Sequence, residues 1–141
     1  MIVVDASVAA KWILPEPRSE QAEALYTASL QAGEPVVAPT LLLYEVSNIL
    51  RQRMIRFGLS LAAAEQLMAE FSTLAVTILA PRALHQRALA LAAAHNLSAT
   101  YDAHYVALAE QLGCDLWTDD ERLLRRLGGT LQFVRPLAHY H

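Results

Sequence analysis

The stretch Ile2-Val3-Val4-Asp5-Ala6-Ser7-Val8 carries the reading of this chain. Three β-branched residues form a short run that suits a buried strand, spanning residues 2–5, and Asp5 closes it. A helical segment over residues 7–14 follows at once, stopped by Pro15 and Pro17. A buried strand running directly into a helix is the start of a parallel crossover unit.

The same alternation continues outward from that start. A helix is predicted over residues 19–32, with Ala22, Leu25, Tyr26, Ser29 and Leu30 on one face and Gly33 suited to end it. A second strand over 36–38 leads through Pro39-Thr40 into a long helix reaching about Phe57, which Gly58 breaks. Ser60 caps a further helix whose stripe is Leu61, Ala64, Leu67, Met68, Phe71 and Leu74. The third strand covers 76–79, and Pro81 starts a helix reaching about His95. After a loop over 96–100 comes a helix over 101–112, ended by Gly113, then a fourth strand over 115–118. A short helix over 120–127 stops at Gly128-Gly129, and the fifth strand covers 131–134. No repeat or linker interrupts the pattern. It predicts one α/β domain over residues 1–141: three α/β/α layers around a mostly parallel sheet of four to five strands.

At 141 residues the chain can bury a sizeable core. Its 55% hydrophobic and 18% charged content lies at the apolar end of globular proteins, which points to surface buried against a second copy or a partner. No apolar run approaches the roughly 20 residues that span a bilayer, and no leader peptide is read. Cys114 is the sole cysteine, which suits a reducing cytoplasm. The net charge of −3 does not announce a nucleic-acid partner, although an acid cluster holding cations reverses its local sign. Lys11 is the only lysine, and the arginines gather as Arg51, Arg53, Arg56 and as Arg122, Arg125, Arg126. Each group could grip phosphates or simply be the solvated end of a helix.

Acids occupy costly positions at four places in the chain. Glu45 shares its helix face with Leu41, Leu42 and Ile49, and Asp102 shares its own with Val106 and Ala109. Asp5 and the Asp119-Asp120 pair end strand-like runs, where ligand sites of open parallel sheets gather. Carboxylates brought together retain protons or hold a cation. An all-oxygen set without histidine or cysteine favours Mg²⁺ or Mn²⁺, and such ions cleave or transfer phosphodiesters. Local roles compete with this: Asp5 and Asp120 could cap the helices they precede, and Asp102 could favour its helix N-terminus. Ser7, Asn48 and Thr118 lie near the acids and could orient them, or merely cap and satisfy the backbone. None of the five histidines is read as catalytic. Trp12, Trp117, Met54 and Met68 read as packing residues.

The chain resembles the PIN domains, specifically the VapC toxins of type II toxin–antitoxin systems. The resemblance rests on Ile2-Val3-Val4-Asp5-Ala6-Ser7-Val8, Leu43-Tyr44-Glu45-Val46-Ser47-Asn48-Ile49-Leu50, Tyr101-Asp102-Ala103 and Trp117-Thr118-Asp119-Asp120-Glu121-Arg122-Leu123, in that order. It implies a PIN fold and a metal-dependent endoribonuclease cutting RNA with Mg²⁺ or Mn²⁺. Asp5, Glu45, Asp102 and Asp120 match the family acids; Ser7, Asn48 and Thr118 match supporting polar positions. Asp119 either joins the cluster or points away. A homodimer and a cognate antitoxin protein are also implied. The alternative is a degenerate PIN domain that binds RNA or a protein without cutting. A haloacid-type hydrolase would need an acid where Ser7 stands, and a phosphoacceptor receiver would need a lysine late in the chain.

Overall fold

The computed structural model describes residues 1–127 and 129–141. Five strands form one sheet: β1 (Ile2–Val4), β2 (Val36–Pro39), β3 (Val76–Leu79), β4 (Asp115–Thr118) and β5 (Val134–Pro136). They lie in the order β3-β2-β1-β4-β5, every pair parallel. The helices are α1 (Ala6–Ala9), α2 (Ser19–Gln31), α3 (Leu41–Phe57), α4 (Leu61–Ser72), α5 (Leu84–Ala94), α6 (Tyr101–Leu112) and α7 (Glu121–Leu127). The three-layer α/β/α architecture expected from the sequence is the one observed, with the sheet wholly parallel.

The chain order explains where a ligand would sit. From β1 the chain steps outward to β2 and β3, then returns across both to β4 and β5. Right-handed crossovers therefore put α1 to α4 on one face of the sheet and α5 to α7 on the other. The direction reverses between β1 and β4, and such a reversal opens a crevice at the strands' carboxyl ends. Val3 pairs with Leu116 and Val4 with Trp117, so Asp5 follows the sheet directly beside Thr118.

The central strands are buried, as their β-branched runs predict: Val3, Val4, Val36, Val37 and Leu116 are all essentially inaccessible. Helix α6 packs against β1, β2 and β4 and buries Ala103 and every residue from Tyr105 to Ala109. Small side chains allow that close approach. Gly58 (φ +69°) and Gly113 (φ +63°) end α3 and α6 in the left-handed conformation that glycine adopts without penalty.

Several local expectations are corrected. The fifth strand begins at Val134, because the Val134 amide turns back to the Leu131 carbonyl and residues 131–133 form a turn. Pro136 is tolerated because β5 lies at the sheet edge. The first helix is only α1 followed by a tighter 3₁₀ turn, Ala10–Trp12. Pro81 precedes α5 in a turn, accepting from the Leu84 amide. Leu30 and Leu61, counted on apolar faces, stand exposed at the last and first turns of α2 and α4. The predicted stop at Gly128 lies outside the described residues; Gly129 beyond it has φ +72°. No described helix is long and apolar enough to cross a membrane.

Candidate functional site

Asp5 is both a helix cap and a buried acid. One carboxylate oxygen, Oδ1, accepts from the Ser7 amide at 3.0 Å, the Ser7 hydroxyl at 2.5 Å and the Val8 amide at 3.2 Å. The other, Oδ2, accepts from the Thr118 hydroxyl. The capping reading and the site reading are thus compatible, since the cap fixes the carboxylate at the β1–β4 crevice. Burial pushes the Asp5 acid up to about 7; the Ser7, Thr118 and Val8 hydrogen bonds oppose this, and the charge of Asp102 adds to it.

Ser7 and Thr118 connect this carboxylate to the turn after β4. The Asp119 amide donates to the Ser7 hydroxyl at 2.7 Å, and the Asp120 amide to the Thr118 hydroxyl at 3.0 Å. Asp120 Oδ1 in turn accepts from the Arg122 and Leu123 amides at 2.8 and 3.1 Å, the expected cap of α7.

Glu45 lies in the second turn of α3. The buried seam of that helix is Leu42, Val46 and Leu50, and Glu45 sits on its half-buried flank with Leu41 and Ile49. Burial raises its acid above the ordinary carboxylate range, as do the charges of Asp102 and Asp120; the Tyr105 hydroxyl, donating to Oε1 at 2.5 Å, opposes them. Asp102, in the first turn of α6, is also raised, by burial and then by Asp120. The structure therefore brings Asp102 within electrostatic range of Asp5, Glu45 and Asp120, and Glu45 within range of Asp120. No lysine or arginine forms an ion pair with any of the four among the described residues.

Asp119 turns away. Its carboxylate is held by Lys11 Nζ at 3.1 Å and Arg18 Nε at 2.7 Å. Lys11, only 6% exposed, also meets Glu16 at 3.2 Å, and Glu16 meets Arg53 at 2.6 Å. Asn48 is exposed and lines a separate groove with Gln52, Arg56 and Phe57; it makes no hydrogen bond to the four acids among the described residues.

Tyr105 is the site residue that sequence reasoning missed. It is 1% exposed, and burial together with Glu45, Asp5 and Asp102 pushes its hydroxyl well above the usual range, so it stays a donor. The available signal was its place one helical turn after Asp102. His85 and His104, unrelated by sequence spacing, meet across α5 and α6 at 2.9 Å.

The donor set fits a hard divalent cation: carboxylates only, none of them in an ion pair with a lysine or arginine among the described residues. Among the described residues no three acidic, imidazole or thiol side chains close at ligating distance around one point.

The PIN-domain family profile matches residues 2–129. The chain is 36% identical over 129 residues to Ribonuclease VapC3 of Pyrobaculum aerophilum, covering 89% of this chain and 93% of that protein. It is 39% identical over 123 residues to Ribonuclease VapC9 of Mycobacterium tuberculosis, covering 87% and 88% respectively. The crystal structure of PAE2754 from Pyrobaculum aerophilum superposes with a TM-score of 0.71 at 23% identity, covering 97% of this chain and 89% of that one. On this match and these identities, the chain belongs to the PIN-domain family and, within it, to the VapC proteins.

Proposed function

We propose that residues 1–141 form a single PIN domain acting as a metal-dependent endoribonuclease, the toxin of a type II toxin–antitoxin pair. The observation that carries this is the group Asp5, Glu45 and Asp102, all raised by burial and by neighbouring acids, none of them in an ion pair with a lysine or arginine among the described residues. A divalent cation relieves that repulsion. Membership of the VapC proteins, whose relatives are named ribonucleases, gives the substrate class.

Asp5 and Asp102 would hold Mg²⁺ or Mn²⁺, with Glu45 and Asp120 completing the pocket through water. When bound, the metal supplies charge neutralisation at the phosphate and a water acidic enough to attack near neutral pH. The chain's own residues arrange the pocket. Ser7 and Thr118 fix the Asp5 carboxylate from two sides, Tyr105 orients Glu45, and the α7 cap holds Asp120. Exposed Tyr44, Phe57, Leu61, Leu89 and Tyr101 supply apolar surface for a second copy and for a cognate antitoxin. The lone Cys114 suits a cytoplasmic site of action.

The test is cleavage of RNA by the purified protein with Mg²⁺ or Mn²⁺ against EDTA, beside Asp5→Asn and Asp102→Asn. Metal-dependent cutting lost in both folded variants supports the reading. Cutting that survives both removes it. RNA binding without cutting in any metal leaves the degenerate, binding-only PIN domain.

A further inference from the structure

The two arginine groups look alike in sequence but differ in their surroundings. On α3, Arg53 is committed to Glu16 at 2.6 Å and lies over the Phe57 ring at 5.3 Å from its centroid. Of that group only Arg53 is tied into the scaffold; Arg51 and Arg56 are exposed and neither lines the cavity that holds Asp102 and Asp120. On α7, Arg122, Arg125 and Arg126 are all exposed, and none forms an ion pair or side-chain hydrogen bond among the described residues. Their spacing of three and four residues puts them along the exposed side of the helix, while Leu123 and Leu127 are buried. All three line the same cavity of about 620 Å³ that Asp102 and Asp120 line.

A purely structural role is available to part of this group. Arg125 and Arg126 occupy the last turn of α7, where cations interact favourably with the helix dipole. That role does not require a shared cavity with two acids. Nor does it involve Arg122, which sits in the first turn, where a cation opposes the dipole.

From this geometry we infer that Arg122, Arg125 and Arg126 form a subsite for the phosphates flanking the cut position on single-stranded RNA. The inference rests on the ribonuclease reading of the adjoining acids. Guanidinium groups present paired donors to phosphate oxygens, and neighbouring side chains on one helix face lie about 5–6 Å apart at Cβ, close to the step between successive phosphates. The acids and the arginines then divide the backbone between them. The acid pocket, through a bound cation, takes the reacting phosphate; the arginines take the phosphates beside it and fix the register of the strand. The wall facing α7 includes Ser98 and Ala99, short side chains that leave room for a strand to pass.

The test is fluorescence anisotropy of a labelled single-stranded RNA 12-mer at several salt concentrations with Mg²⁺ present. The Asp5→Asn chain is compared with the same chain also carrying Arg122→Gln, Arg125→Gln and Arg126→Gln. A control carries Asp5→Asn with Arg51→Gln and Arg56→Gln. The triple substitution is expected to weaken binding about tenfold and to flatten the log–log salt slope by about 0.7 per arginine, while the control changes little. In the chain with Asp5 intact, the triple substitution should raise KM with kcat nearly unchanged. An unchanged salt slope, an equal loss in the control, or no RNA binding before the arginines are removed overturns the proposal. Melting temperature separates misfolding from lost contact, and single Arg122→Gln and Arg126→Gln variants replace the triple if it unfolds. Cutting by the Asp5→Asn chain in EDTA would sink the ribonuclease reading of the acids alone, leaving the comparison of affinities to judge the arginines.

Discussion

The Tyr105 hydroxyl donates to Glu45 Oε1 at 2.5 Å, tying α6 to α3 across 60 positions of sequence. This contact orients a carboxylate that burial and two neighbouring acids would otherwise push toward its protonated form. Tyr105 is itself surrounded by core residues, so the hydrogen bond is shielded from water and correspondingly consequential.

Tyr105→Phe removes that donor and little else. The Glu45 acid should rise further, because the hydrogen bond it loses favours the ionised form. The acid limb of the pH–rate profile for RNA cleavage is then expected to move to higher pH. Stability in urea should fall by about 1–2 kcal/mol. An unmoved acid limb would show that Glu45 has no part in the reaction.

Asp5 imposes a pH dependence on the metal-free protein. Its folded value of about 7 lies above the ordinary value of 3.8, so the native state binds the extra proton between these limits. Stability is therefore highest below about pH 4 as far as this group is concerned, and declines as pH rises to about 7, by on the order of a few kcal/mol. Denaturant melts in EDTA across pH 4–8 would reveal the slope. In Asp5→Asn that part of the slope should vanish; a slope that persists unchanged assigns it to other groups.

Divalent cation should reverse the penalty where the acids are ionised. At pH 8, Mg²⁺ or Mn²⁺ at about 100 times its Kd is expected to stabilise the unsubstituted chain by about 2.7 kcal/mol. Asp5→Asn and Asp102→Asn should show little of this gain. Calorimetric melts with and without metal measure it, and equal stabilisation of all three proteins would place the cation elsewhere.

Asp119 and Asp120 are adjacent, yet opposite outcomes are expected. Asp119→Asn loosens the contacts to Lys11 and Arg18 and should lower stability while leaving kcat within a few-fold. Asp120→Asn should cost about 100-fold or more in kcat/KM with stability changed by less than about 1 kcal/mol. Lys11→Met strips one cation from two carboxylates and is expected to destabilise by about 3 kcal/mol, since a buried acid loses a partner. A catalytic collapse in Asp119→Asn in the folded protein would bring Asp119 into the site.

The α/β class, the order of strands and helices, and the positions of four costly acids are legible in the sequence. These follow from properties that act over a few residues: β-branched runs, helical periodicity, glycine stops, and caps such as Asp5 and Asp120. Even there, the final strand was misplaced, because Leu131 and Phe133 are apolar residues of a turn and hydropathy does not distinguish them from a strand. Tertiary structure alone decided which side chains meet. Thr118 reaches Asp5 over 113 positions, Arg18 claims Asp119 over 101, and Tyr105 finds Glu45 over 60. It also separated two similar arginine groups, one with Arg53 committed to Glu16 and the other lining the cavity that holds Asp102 and Asp120. The physical reason is that a carboxylate's partner is set by distance in space and by exclusion of water, and neither is encoded in the spacing of residues along the chain.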